Sequence, residues 1–499
     1  MPGGLLFNSV EYAAFLAIFL ALYWAVLGPR GAIGSALKRD LRPHLLLVGS
    51  YVFYASFTWW FPAILAGITV VQYTLGAQLA KTRSRERRKV LLTLGVLATI
   101  GTLVVFKYFD FFVGAVADGL GRVGLEANPA TLGLLVPWGV SFYTLHALSY
   151  TIDVYRRDAE ATTDVLSFAV FVAYFPQLLA GPLTRIRPML PQFQHLPRRL
   201  DPIRRAEGFE LILLGLFQKV AVADALTPLT RTVFVDQTVG PEPAQNPVLL
   251  VIGAFAGAAQ FVLDFAGYTN IARGTSKLLG IELPYNFREP LTRSRNLQDY
   301  WRRHNITLMG WFRDYVYRPL RRRSSSTVRS SLLLVFIFFL SGLWHGANWG
   351  WVLWGIVTGV AVQTEILVNR ARDRSRRREG RPARRRRSPA MRVLGPLYAS
   401  GVLAATIVLV RAPTIAAALE YYQAILRPTW VPLDWDLVLL AGYALVAICV
   451  ADWREHRMEL AEGKADPPTI PRMALWGAMV VLIIIYSGTA AQPFVYFQF

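Results

Sequence analysis

The chain has 499 residues, 54% hydrophobic and only 17% charged, with a mean hydropathy of +0.37. A soluble domain carries about 25% charged residues, and here the apolar residues fall in long runs, which excludes an ordinary soluble enzyme, a disordered chain and a secreted disulfide scaffold. Of the formal charge of +21, a net +10 lies in Arg370–Arg392, twelve arginines against Asp373 and Glu379, and the remaining +11 is scattered mostly through short loops between apolar runs. No basic face on a folded module accompanies it, so nucleic acid is excluded as a partner and the arginines read as a loop on the cytoplasmic side, facing membrane lipid.

A membrane helix needs about 20 mostly apolar residues. In chain order such runs lie at 5–27, 43–60, 61–80, 90–116, 131–153, 207–224, 247–268, 331–345, 347–369, 393–411, 436–452 and 473–490. Met1–Leu20 lacks a basic start and a small-residue cleavage site, so the first run reads as a span and not as a removable signal peptide. Basic residues crowd 28–42, 81–89, 156–160, 270–330, 370–392 and 453–472. The connections 117–130, 225–246 and 412–435 carry Asp118, Glu126, Asp236, Glu242 and Asp434 instead. The alternation predicts an all-α, polytopic protein of about twelve transmembrane helices with both termini outside, forming one membrane domain over 1–499.

Two stretches depart from this pattern. Leu166–Gly181 is apolar enough to cross but has basic residues on both sides, Arg156 and Arg157 before it and Arg185, Arg187, Arg198 and Arg199 after it. It therefore reads as a re-entrant segment turning at Pro176 and Gly181–Pro182, and backbone of that kind is tolerated only where protein or a water-filled cavity covers it. The connection 270–330 places Tyr300, Trp301, Trp311, Phe312, Tyr315 and Tyr317 among basic residues, as in short helices sunk in the inner leaflet. Together they suggest helices arranged around a central cavity.

Polar residues within the membrane are costly and are candidates for function. His345 lies in Ser341-Gly342-Leu343-Trp344-His345-Gly346-Ala347-Asn348-Trp349, at the break in a long apolar stretch. Read from the residues alone it is either a satisfied core histidine at a helix joint or a buried neutral base. In Tyr300-Trp301-Arg302-Arg303-His304-Asn305-Ile306-Thr307-Leu308, helical spacing puts Trp301, Asn305 and Leu308 on one face, with His304 on an adjacent one. An interfacial amphipathic helix with snorkelling arginines explains that run equally well. Asp153 with Arg156 reads as an ion pair, and Asp264 as an acid paired with Arg273. A phosphate-binding loop, paired cysteines, an HExxH helix and a G-x-S-x-G elbow are all absent from the sequence, so ATP-driven pumping, zinc proteolysis and serine hydrolysis draw no support.

Taken in order, Pro137–Arg156, Ala180-Gly181-Pro182, Asp264–Tyr268, the WRRxxI(S/T)L and W(F/L)RDYxYxPL runs at Trp301–Leu320, and the (S/G)LWHG run ending at Gly346 resemble the membrane-bound O-acyltransferase (MBOAT) family. The likeness is to its bacterial branch of alginate O-acetylation and teichoic-acid D-alanylation proteins. It covers 135–365, the catalytic core that it implies. The resemblance implies transfer of an acyl group, acetyl above all, from a cytoplasmic thioester to a hydroxyl of a cell-envelope glycan or glycolipid. It implies no bound cofactor, acyl-CoA (acetyl-CoA) or another acyl thioester as donor substrate, and an extracytoplasmic partner protein that passes the acyl group onward. The expected location is the bacterial cytoplasmic (inner) membrane. His345 takes the place of the family histidine, a general base. The glycan-modifying branch usually reads WRRWH where this chain reads Trp301-Arg302-Arg303-His304-Asn305, so Asn305 falls at the second site position and His304 at the neighbouring tryptophan position. Trp301, His304, Arg313, Asp314, Tyr317 and Trp344 complete the expected substrate-binding set. The competing readings are a transporter or flippase for a lipid-linked or acylated substrate, with no covalent chemistry, and a membrane scaffold.

Overall fold

A computed structural model describes residues 4–36, 40–125, 131–234, 246–321, 326–379, 390–427, 431–464, 469–488 and 492–494. Glu126, Asp236, Glu242 and the loop residues 380–389 lie outside them. Every regular element among the described residues is helical. Among the described residues seven helices are long and apolar enough to cross a membrane: Phe61–Lys81, Arg85–Arg122, Pro247–Leu278, Thr327–His345, Trp349–Arg378, Met391–Arg411 and Trp435–Ala461, with shorter apolar helices at Val10–Val26 and Ile470–Tyr486. Their outer faces carry bare aliphatic side chains; Leu439, Leu445, Ile484 and Ile485 are each more than 60% exposed, which suits hydrocarbon and not water.

The remaining expected spans are short or broken. Arg42–Ala55 has 14 residues and Val140–Arg156 has 17, so neither reaches the length of a full crossing by itself. Residues 131–137 are not helical, because Pro137 and the left-handed Gly139 (φ 79°) delay the helix start. Pro202–Leu216 runs into a π turn at Phe217–Ala223. The chain forms two compact units, one mainly from Met1–Ile212 and Tyr268–Pro284, the other mainly from Leu213–Gly267 and Tyr285–Gly488.

In the first unit, the segment expected to be re-entrant is a helix, Val165–Ala173, broken at Tyr174 (φ −50°, ψ 107°) and followed by a single turn at Phe175–Leu178. It is buried from Phe171 through Thr184, and its polar groups are paired as burial requires. Gln177 donates to the Phe171 carbonyl at 2.9 Å, Thr184 Oγ1 donates to Gln177 Oε1 at 2.9 Å, and the Thr184 N–H donates to His146 Nε2 at 3.1 Å. His146, which sequence reasoning passed over, is fully buried and ties the broken segment to Val140–Arg156. The Arg88 guanidinium caps that helix, donating to the carbonyls of Val154 and Tyr155 at 3.1 and 2.8 Å.

The second unit is organised by the hairpin of Thr327–His345 and Trp349–Arg378. The two helices approach backbone to backbone. A Cβ on Gly342 would lie 2.2 Å from the Trp351 carbonyl oxygen, and one on Gly355 would lie 2.4 Å from that of Phe338. The connection has three residues, Gly346–Asn348, and the Asn348 side chain caps the second helix by accepting the Trp351 N–H at 2.9 Å. Asp264 pairs with Lys219, at 2.6 Å, a lysine that also holds Asp224 at 2.8 Å. The π turn of Phe217–Ala223 brings Lys219 to the acid, a juxtaposition that spacing along the chain does not reveal.

Candidate active site

His345 is the last residue of its helix, 2% exposed, and is enclosed by aromatic rings. Trp351 stacks on the imidazole at 4.9 Å with 16° between planes. Trp344 and Trp354 meet it edge-on at 5.0 and 5.4 Å, and Phe261 of Pro247–Leu278 lies at 6.1 Å. The glycine that follows makes this possible: a Cβ on Gly346 would sit 2.0 Å from Trp351 Cδ1, so a larger residue there would displace the stacked indole. Among the described residues Ser341 Oγ and Trp354 Nε1 are buried without hydrogen-bond partners, two polar groups on elements that frame the imidazole.

The Trp301–Asn305 run is not one helix, and the shared face expected for Trp301, Asn305 and Leu308 does not exist. Leu297–Trp301 ends in a turn closed by the N–H groups of Arg303 and His304, both donating to the Tyr300 carbonyl at 2.9 Å. Asn305 then adopts the left-handed region (φ 46°, ψ 49°) and opens the next helix, Ile306–Phe312. Asparagine is among the few residues that enter this region readily. Distant residues fix the turn. Asn286 accepts the Ile306 N–H on its carbonyl at 2.9 Å and the Thr307 N–H and hydroxyl on its side chain at 3.1 and 2.7 Å. The Glu365 carboxylate accepts the N–H groups of Leu297 and Gln298 at 2.9 and 3.2 Å. Sequence reasoning missed both residues.

Asn305 is 2% exposed, and its side-chain NH₂ has no hydrogen-bond partner among the described residues. A buried donor left unpaired is expensive, so it is available to a ligand. His304 stacks on Tyr300 at 5.1 Å and shares a 2.9 Å hydrogen bond with its hydroxyl through Nδ1. Trp301 lies 5.3 Å from His304 on one side and 5.8 Å from Trp354 on the other. The structure thus joins His304, Trp301, Trp354, Trp344 and His345 in one aromatic chain, with Asn305 next to its lower end. Arg313, Asp314 and Tyr317 sit on the π turn Arg313–Tyr317. There Asp314 is paired with Arg313 at 2.8 Å and with Arg318 at 2.9 Å, and Arg321 stands over the Tyr317 ring.

Burial pulls the His304 pKa down to about 3, so the imidazole is neutral near neutral pH. A native pKa below the ordinary 6.5 means that the unfolded chain takes up the proton first, so stability is full above about pH 6.5 and is lost as pH falls. At pH 5.5 this loss is on the order of 1 kcal/mol. The apparent Tm of detergent-solubilised protein is therefore expected to fall between pH 8 and 5.5, and to fall less in a His304→Gln variant. Equal falls in both would show that His304 does not titrate this way.

Glu289, His456 and Glu459 gather their ligand atoms within 4.8 Å of one another. Arg293 and Arg303 lie 3.8 and 3.6 Å from the Glu289 carboxylate, and Arg288 lies 3.2 Å from that of Glu459. With cations already opposite the acids, the group reads as an ion-pair clamp on the chain leading into the Asn305 turn. Burial raises Glu289 to about 7, and the nearby Asp452 carboxylate adds to this.

Comparison with known proteins adds four findings. The description "MBOAT, membrane-bound O-acyltransferase family" matches residues 16–393. A protein named probable alginate O-acetylase AlgI in Azotobacter vinelandii is 36% identical over 375 residues, 73% of this chain and 69% of that one. The peptidoglycan O-acetyltransferase of Helicobacter pylori is 29% identical over 398 residues, 74% of this chain and 71% of its own length, and the teichoic acid D-alanyltransferase of Streptococcus thermophilus is 28% identical over 242 residues, 46% and 57%.

Proposed function

Because the chain belongs to the membrane-bound O-acyltransferase family, we propose that it transfers an acyl group, acetyl by preference, from a cytoplasmic thioester to a hydroxyl of a cell-envelope glycan, in the bacterial cytoplasmic membrane. The observation that supports this reading is a run of ring contacts from His304, beside Asn305, through Trp301 and Trp354 to His345, with a buried amide at one end and a buried imidazole at the other. His345 takes the proton of the acceptor hydroxyl as its oxygen attacks the thioester carbonyl. The C–O bond forms, the carbonyl becomes a tetrahedral oxyanion, and Asn305 Nδ2–H donates to that oxygen. The C–S bond then breaks, and the leaving thiolate receives the proton that His345 holds. The tryptophan box keeps water from the reacting carbonyl, where water would compete with the acceptor and would weaken each electrostatic contact. A glycan acceptor is favoured because the alginate and peptidoglycan relatives carry it in their names. An extracytoplasmic partner that relays the acyl group belongs to the same reading.

The test uses membranes carrying the full chain, supplied with acetyl-CoA and an envelope glycan extract. The expected result is release of free thiol matched by alkali-labile acetyl on the glycan. Movement of substrate across the membrane with no thiol released would replace this reading with a transporter.

A further inference from the structure

On the second unit a cleft of about 570 Å³ opens beside the Leu297–Trp301 helix, lined by Arg295, Arg302, Arg370, Arg372 and Arg376. Asn296, Gln298 and Asn369 add neutral donors, and the acids on its wall are Asp299 and Asp373. The lining therefore has a net charge of +3. Asp299 is engaged elsewhere: it accepts the Arg295 backbone N–H at 3.1 Å and lies 3.5 Å from Arg303. No ion pair of any of the five guanidiniums occurs among the described residues. In the Glu289 clamp, by contrast, each arginine lies within 4 Å of a carboxylate.

Five like charges around one cavity repel each other, and an anion bearing more than one charge relieves that repulsion. Complementing the helix C-terminus does not explain them, because that effect reaches only the last turn. Of the five, Arg376 alone falls in the last turn of Trp349–Arg378. The site is also built. The Glu365 carboxylate anchors the start of the Leu297–Trp301 helix, and Gly395 lets the Met391–Arg411 helix approach so closely that a Cβ there would lie 2.7 Å from Arg295 Cα. Guanidinium forks and amides together are the donor set that suits phosphate oxygens.

We infer that this cleft is a binding site for a phosphate-bearing anion. Two sources share that chemistry, the phosphates of an acyl-CoA donor and the headgroup of an anionic inner-leaflet lipid. The first rests on the thioester reading above, and distance favours it. Trp354, beside His345, and Arg370, in the cleft, stand sixteen residues apart on one helix, about 24 Å at 1.5 Å per residue. That is the scale of an extended pantetheine arm, which would hold its phosphates in the cleft while its thioester reaches the tryptophan box.

The experiment uses the full chain purified in neutral detergent, with adenosine 3′,5′-bisphosphate as one probe and nanodiscs of phosphatidylglycerol against phosphatidylcholine as the other. Wild type is expected to bind the bisphosphate, more weakly as salt rises, and an Arg302→Gln/Arg372→Gln double variant to lose about tenfold or more. The Arg302→Lys/Arg372→Lys variant keeps the charge, controls for folding and should retain part of the affinity. Retention of phosphatidylglycerol that depends on the arginines, with no bisphosphate binding, assigns the same site to lipid. Absence of both, or binding equal in wild type and the glutamine variant, overturns the site. His345→Ala should bind the bisphosphate as wild type does while turning over no substrate, so failure of the cleft and failure of the transfer chemistry are told apart.

Discussion

Replacing His345 with alanine should lower kcat by about 10²–10⁴, the usual contribution of a general base, with a much smaller change in KM for the acyl donor. The donor makes its contacts elsewhere in this reading, and the imidazole acts on the proton of the acceptor. Alanine also leaves a hole among Trp344, Trp351 and Trp354, whose rings lie 4.9–5.4 Å from the imidazole, and collapse of those rings would mimic a catalytic defect. His345→Gln is the control, since it fills most of the space and cannot accept and return a proton at useful pH. Both variants are expected to be nearly inactive, while His345→Gln keeps an apparent Tm near that of wild type. Near-normal turnover by folded His345→Gln protein would remove the imidazole from the mechanism.

The second large effect is expected at Asn305, where the backbone decides which substitution is informative. With φ 46° and ψ 49° the residue occupies a region that costs an alanine about 1–2 kcal/mol. Asn305→Ala would thus combine strain with loss of the amide. Asn305→Gly suits the backbone and removes only the donor, so its kcat isolates the contribution to the oxyanion. A loss of about 10²–10³ is expected, as for removal of a single oxyanion donor, with the apparent Tm nearly unchanged. Asn305→Asp has the size but presents an acceptor to a developing negative charge, and should be at least as damaging. A fully active glycine variant would reduce Asn305 to a turn residue.

The all-helical membrane architecture was legible in the sequence because apolar runs of sufficient length report on the solvent around a helix, whatever its partners. His345 stood out for a related reason: an imidazole within an apolar run, flanked by glycines and tryptophans, is costly enough to require explanation. The geometry of the Asn305 turn was not legible. The run from Trp301 to Leu308 has helical periodicity, and the left-handed residue that breaks it differs from a helical asparagine in only two dihedral angles. Those angles are held by Asn286 and by the junction with Ile306, and the helix before them by Glu365, 68 residues beyond Leu297. No local pattern encodes a cap supplied from that far away. Arg370 to Arg376 illustrate a third case. They were legible as charge, but the last turns of a 30-residue helix and the Arg295–Arg302 segment must meet before that charge becomes a cleft.

The three-residue link between Thr327–His345 and Trp349–Arg378 leaves the site with no slack. His345 ends the first helix and Trp351 lies in the first turn of the second, with glycine contacts locking the helices against sliding. One residue added at 346–348 would have to be taken up as rotation of the second helix, about 100° per residue, which would carry the stacked indole off the imidazole altogether. The hairpin thus works as a gauge block, setting the distance between the His345 imidazole and the Trp351 indole, and an insertion at 346–348 is expected to cost far more activity than one at an exposed connection.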